Sequence, residues 1–274
     1  MTTTPTRRAR SLPPSSPEIP PPPLRYLAME MRSAVELAEL ALRHRTLSEA
    51  PRGDGHPVLV LPGLMSSDLA TLPMRRFLTD RGYAAYGWGF GMNLGLRGTL
   101  EADLADLLGA IAARHGRKVS LVGISLGGIY ARQLAKVLPH LARSVVTLGS
   151  PFAGSPRSTR GWRVYEWACG QSVDTRDEHM GGPVRPPPPV PTTAIYSRTD
   201  GICAWQSCVE PDGPMSESIE VTGSHIGLPH NLQVLRVLAD RLAQREGEFT
   251  PYQAAGPAAE GPLHRHAETG APAR

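Results

Sequence analysis

Six short apolar runs, each followed by a segment long enough for a helix or a sizeable loop, restrict this chain more than any other feature. They are Val58 to Leu61, Tyr83 to Trp88, Val119 to Ile124, Ser144 to Leu148, Thr192 to Ser197 and Ser218 to Thr222. Short runs bounded by turn residues read as strands, and near-continuous apolarity marks strands buried on both faces. Helical patterns fill the gaps at Ser67 to Asp80, Thr99 to His115, Leu126 to Leu138 and Leu232 to Arg245. Polar cap residues open the first two, and Pro139 stops the third. The alternation predicts an α/β chain, a compact and mostly parallel sheet of about six strands flanked by helices. The chemistry of such sheets sits in loops at the strands' carboxyl ends.

A chain of 274 residues can bury a sizeable core as one domain. Of its 28 prolines, eight fall in residues 1–23, six in 183–191 and four in 251–272, too many for packed elements. The expectation is a disordered N-terminal tail over 1–23, one folded domain over 24–250, and a disordered C-terminal tail over 251–274. Residues 153–191 form a lid-like insertion, with Trp162, Tyr165 and Trp167 on a short helical stretch; an aromatic cluster packed on the core is the alternative. Leu24 to Arg45 has a helical pattern with Arg25, Arg32, Glu36, Glu39 and Arg43 on one stripe and apolar residues elsewhere, hence an amphipathic helix over 24–46. Its apolar side is expected on the domain itself or on a homodimer partner. A peripheral membrane contact is disfavoured, because the stripe mixes signs where a lipid-binding helix would be basic.

The net charge of +4 comes from scattered arginines without a basic run or an aromatic-basic alternation, which argues against nucleic acid as a partner. Cys169, Cys203 and Cys208 fit neither a C-x-x-C nor a zinc spacing, and their odd number argues against a disulfide framework. They read as buried or free thiols. Neither a metal nor an organic cofactor is expected. Arg7, Arg8 and Arg10 lead into Ser/Pro-rich sequence where a secretory signal would be apolar, and no run of 18 apolar residues occurs, so the expected location is cytoplasmic.

The strand Val119 to Ile124 ends in Gly123-Ile124-Ser125-Leu126-Gly127-Gly128 and passes directly into helix. This is G-x-S-x-G in its strand-turn-helix context. A sharp turn lifts the Ser125 hydroxyl clear of the sheet, small residues let the two backbones approach, and the helix N-terminus aims its amides at the reacting oxygen. The hydroxyl still needs a base to take its proton. Downstream, Thr192 to Ser197 runs out through Arg198-Thr199 into Asp200, and Ser218 to Thr222 runs into Gly223-Ser224-His225. Asp200 is preferred as the acid because it sits on a strand end, whereas Asp174, Asp177 and Glu178 lie in a polar insertion and Glu210 and Asp212 lie further out in a turn. His225 is preferred as the base. Its rival His230 follows Pro229 at a helix start, where capping explains it, and His56, His115 and His140 lie far from late strand ends.

These segments resemble the bacterial α/β-hydrolase fold lipases and esterases. The resemblance covers roughly residues 56–245 and rests on Leu61-Pro62-Gly63-Leu64-Met65, the Ser125 motif, Leu148-Gly149-Ser150-Pro151-Phe152-Ala153-Gly154-Ser155, Ser197-Arg198-Thr199-Asp200-Gly201 and Gly223-Ser224-His225. In that family the first of these loops carries His-Gly, and the amide after it completes an oxyanion hole. Pro62 stands at the histidine position here, so the implied donors are the Leu64 and Leu126 N–H groups. The stretch after Leu148 resembles the lipase Thr-Pro-His-x-Gly segment, with Phe152 in place of its histidine. No strands precede Val58 to match those that open larger members. The resemblance therefore implies a compact serine esterase or lipase acting on a small-molecule or lipid ester through an acyl-enzyme. An acyltransferase with the same triad, or a non-catalytic binding module on this fold, are the competing readings.

Overall fold

The computed structural model describes residues 19–170 and 183–253. Six strands, β1 (Pro57–Leu61), β2 (Ala84–Gly87), β3 (Val119–Ile124), β4 (Ala142–Leu148), β5 (Thr192–Tyr196) and β6 (Ser216–Glu220), form one sheet. All neighbouring pairs are parallel, in the order β2-β1-β3-β4-β5-β6. Successive residues of a strand point to opposite faces, and here both faces are covered. Leu59, Leu61 and Leu121 meet one core with Leu104, Leu108 and Leu134. Val58, Val60 and Val122 meet the other with Met74, Leu78 and Leu235. This double burial is why the strands read as continuous apolar runs.

The covering helices are α3 (Asp68–Asp80), α4 (Leu100–His115), α5 (Leu126–Val137) and α7 (Leu232–Leu242). Ser67 Oγ accepts the Leu69 N–H at the start of α3, as its cap role requires. Thr99 instead donates to Asp103 Oδ2 (2.8 Å). Asn231, not His230, caps α7, its side chain accepting from Gln233 N (2.9 Å) and Val234 N (3.3 Å).

The sixth strand lies two residues earlier than its apolar pattern suggests. Ser216 pairs with Thr192 and Glu220 with Tyr196, and the buried Glu217 carboxylate accepts from Arg241 Nη1 (2.6 Å). A paired carboxylate on a strand's buried side hides the start of that strand from a search for apolar runs. The chain leaves β1 for β2 on one side and returns to β3 on the other. That reversal opens a crevice at the carboxyl ends of β1 and β3.

The N-terminal segment departs most from expectation. It comprises α1 (Leu24–Met29), a 3-10 turn over Glu30–Arg32, α2 (Ser33–Arg43) and a second 3-10 turn over His44–Leu47. Leu40 and Leu47, toward its end, reach the core. The inward side is otherwise charged: Glu30 is 5% exposed, while Leu24, Leu27, Met31, Val35 and Leu42 are exposed, the last at 82%. What this segment meets is a set of loops with unpaired backbone amides, and carboxylates satisfy those where leucines cannot. The tail boundaries shift too. Pro22 is buried and its carbonyl accepts from Arg160 Nε (2.8 Å), and Tyr252 is buried with its N–H on Glu217 Oε2 (2.8 Å). Residues 1–18 and 254–274 of the two proposed tails lie outside the described residues. Among the described residues no helix is long and apolar enough to cross a membrane.

Candidate active site

The turn from β3 into α5 is built as its glycines demand. Ser125 adopts φ 51° and ψ −117°, one of two non-glycine residues with positive φ among those described. A side chain on Gly123 would meet the backbone of Gly127 and Gly128, and one on Gly127 would meet the carbonyls of Leu61 and Pro62. The elbow is thus packed backbone to backbone against the end of β1. Ser125 N–H donates to Leu148 O (2.8 Å), which fixes the turn to β4. A non-glycine residue held in such a region costs about 1–3 kcal/mol and persists where surroundings over-determine it.

Beyond Ser125 lies a cleft of about 520 Å³, within the range of small-molecule sites. Its walls bring together Ser125, His225, Leu64 and Leu126, residues from three separate stretches of chain. Leu126 opens α5, where the first N–H has no intrahelical acceptor. Trp162, Val164 and Tyr165 of α6 (Trp162–Cys169) close another side, so the insertion contributes a wall. Trp167, on the same helix, is 77% exposed. The insertion is stitched to the loop after Asp200, with Arg160 N–H donating to Ile202 O (2.8 Å) and Ala204 N–H to Ser158 O (3.1 Å). Much of its remainder lies outside the described residues.

Asp200 and His225 stand at the ends of β5 and β6, both buried. Asp200 Oδ1 accepts the N–H groups of Ile202 (2.8 Å) and Cys203 (2.7 Å), and Oδ2 meets His225 Nδ1 at 2.6 Å. An ionised carboxylate can only accept, so Nδ1 carries the hydrogen and Nε2 is left as the basic nitrogen. Burial alone would push the imidazole down, but the Asp200 carboxylate outweighs it and holds the His225 pKa well above the ordinary histidine value. No hydrogen bond joins Ser125 Oγ to His225 among the described residues; the two share the cleft wall.

The rival groups have other partners. His230 places Nε2 on Ser33 O (3.0 Å). His56, for which a surface or capping role sufficed, is fully buried between Asp54 Oδ1 (2.6 Å) and Ser120 Oγ (2.9 Å), and burial lowers its pKa to about 4. Glu210 is likewise not an outlying turn residue: it is buried in an ion pair with Arg132, whose guanidinium lies 3.8 Å from the centre of the Phe152 ring. Asp174, Asp177 and Glu178 lie outside the described residues.

Two residues near the cleft escaped the sequence reading, Asn93 and Glu30, and a third, Cys203, was read only as a buried or free thiol with no place at the cleft. Buried Asn93 donates from Nδ2 to Pro62 O (2.8 Å), and its backbone exchanges bonds with Met65 N–H (2.7 Å) and Ser66 O (2.8 Å). It holds the loop that carries Leu64. Glu30 accepts backbone amides from the loops of Asp200 and His225. Cys203 lines the cleft as a buried free thiol, pushed up by its neighbour Cys208 and by burial. Its sulfur, an Asp200 oxygen and a His225 ring nitrogen lie within 4.8 Å of one another. The neutral thiol makes it a weak ligand, and Nδ1 is already engaged by Asp200.

No family model matches the chain. Triacylglycerol lipases of Pseudarthrobacter phenanthrenivorans and Burkholderia plantarii are each 41% identical to it over 73 residues, which make up 27% of this chain. The matched stretch spans 23% and 20% of those two curated relatives, less than a quarter of either. The crystal structure of a Bacillus licheniformis lipase in its mature form is similar with a TM-score of 0.54 and 20% identity, over 72% of this chain and 95% of that one. At that identity the likeness is one of fold.

Proposed function

We propose that this chain, an α/β-hydrolase by fold, cleaves carboxylic esters with Ser125 as nucleophile, His225 as general base and Asp200 as the group that orients the base. The observation that carries the reading is a strained serine at a strand-to-helix elbow, sharing one cleft wall with a histidine whose far nitrogen is engaged by a buried carboxylate. In this reading His225 Nε2 takes the proton as Ser125 Oγ attacks the ester carbonyl, then returns it to the departing alcohol. Water next attacks the acyl-enzyme, with Nε2 again taking the proton, and the carboxylic acid leaves with Ser125 restored. Catalytic hydrogen bonds to a nucleophile commonly tighten only when substrate binds, which fits two residues that line one cleft with no hydrogen bond between them. The Leu64 and Leu126 amides would receive the oxyanion, and one such donor is typically worth about 3 kcal/mol. The largely apolar wall, together with the lipase names of the two partial relatives, favours an ester whose acyl group is hydrocarbon.

A fluorophosphonate probe should label the wild type at Ser125 and leave Ser125→Ala unlabelled, and the same substitution should abolish turnover of nitrophenyl esters from acetyl to palmitoyl. Equal labelling of both proteins would overturn the assignment.

A further inference from the structure

The α1–α2 segment reaches the cleft's machinery through carboxylates, and Glu30 stands at the centre of that contact. Its Oε1 accepts two backbone amides from different loops, Gly201 N–H (2.8 Å) beside the acid and His225 N–H (3.0 Å) at the base itself, while Oε2 accepts Ile226 N–H (2.9 Å). We infer that Glu30 is a positioning residue for the triad, its buried carboxylate tying the loop that carries Asp200 to the loop that carries His225. The inference rests on the ester-hydrolase reading above.

Several independent features agree with it. Gly201 cannot carry a side chain without striking the Tyr26 backbone, so α1 lies directly on the acid loop. Arg32 donates to Thr199 O (3.1 Å) and Oγ1 (2.6 Å), two positions before Gly201. Glu36 accepts Ser224 N–H (2.8 Å) and the Ser224 hydroxyl (2.9 Å). Each flanking residue holds one loop, whereas Glu30 spans both. A buried carboxylate is retained where every lone pair it turns inward is satisfied, and bonds to a charged acceptor are the shorter and stronger kind. The Asp200–His225 bond crosses between the same two loops, so its geometry follows from how their backbones are held.

Glu30 is not part of the cleft wall. Its loss should therefore lower kcat on a short soluble ester without moving KM. For Glu30→Ala we expect a fall in kcat on the order of 10²-fold, the scale of a 1 Å misplacement at a reacting centre. Glu30→Gln keeps an oxygen for two amides but turns an NH2 on Ile226 N–H, so it should fall between, by roughly tenfold. Leu47→Ala serves as a control, because it weakens the docking of the same segment through the core alone and should keep wild-type kcat per folded molecule. Wild-type kcat in folded Glu30→Ala, or a loss in Leu47→Ala matching it, would overturn the inference. If Glu30→Ala fails to fold, Glu30→Gln decides: reduced kcat at unchanged KM supports the bridge, and unchanged kcat refutes it. Should the wild type hydrolyse no ester, it is the hydrolase reading that fails, and amide hydrogen exchange settles the bridge instead. Faster exchange in Glu30→Gln, largest at Ile226 where the acceptor is lost and smaller at Gly201 and His225 where a neutral oxygen replaces a charged one, would support it, and unaltered exchange at all three would refute it.

Discussion

The strain at Ser125 can be measured by giving the position a residue that does not feel it. At φ 51° and ψ −117° a side chain is crowded and glycine is not. Ser125→Ala keeps the Cβ, so it should remove activity and leave stability within about 0.5 kcal/mol. At the middle of each range, Ser125→Gly relieves about 2 kcal/mol of strain and gives back about 0.7 kcal/mol through the freer unfolded chain, a net gain of about 1.3 kcal/mol. For a domain of this size each kcal/mol moves Tm by roughly 2–4 °C, so the glycine variant should melt roughly 3–5 °C above the alanine variant. Urea midpoints read at unchanged m-value give the same comparison at equilibrium. Neither variant keeps the Ser125 hydroxyl, so the comparison between them does not depend on turnover. Equal midpoints would cap the strain at the about 0.4–1 kcal/mol that the freer unfolded chain costs, and a glycine variant less stable by that amount would mean that the elbow holds no strain and that its glycines answer to packing alone.

Asp200→Asn should cost kcat about 10⁴-fold, as the same change does in a serine-protease triad, because Nδ1 loses the acceptor that fixes the tautomer. The carboxylate is also what raises the His225 pKa against burial, so without it the imidazole stays unprotonated to lower pH and the acid limb of kcat/KM should move downward; a limb that stays put would remove Asp200 as the cause. Asn93→Ala strands the Pro62 carbonyl and should cost about 1–3 kcal/mol of stability. It should also lower kcat by roughly 10- to 100-fold, short of losing an oxyanion donor outright, as the loop carrying Leu64 loosens. Unchanged turnover in a folded Asn93→Ala would detach that loop from catalysis.

The sheet was legible because its central strands, β1 and β3, are buried on both faces, which writes itself as a continuous apolar run. The elbow was legible because its glycines and serine fall at fixed offsets, and each glycine proves to face backbone or, at Gly128, the side chain of Ser150. Asn93 was not legible. It sits between β2 and α4, with no periodicity to mark it, and its partners Pro62 and Met65 lie some thirty residues back along the chain. Glu210 and His56 failed for a related reason. A titratable residue reads as surface until its partner is known, and Arg132 and Ser120 are supplied by the fold.

The N-terminal segment shows the limit most sharply. Periodicity tells which residues share a side of a helix, but which side turns inward depends on what the helix meets. A helix laid on a sheet meets side chains and buries leucines. The segment from Leu24 to Leu47 is laid mainly on the turns that follow β5 and β6, where Gly201, Ser224, His225 and Ile226 present amides without strand partners. Burying an amide unpaired costs about 1–3 kcal/mol, so four of them outweigh the exposure of a few apolar side chains. Two members of the charged stripe that argued against a lipid-binding helix, Arg32 and Glu36, thus join Glu30 in gripping the loops of Asp200 and His225. Their sign pattern, two glutamates with an arginine between them, is the complement of what lies beneath: backbone donors for the carboxylates, and the Thr199 carbonyl and hydroxyl for the guanidinium.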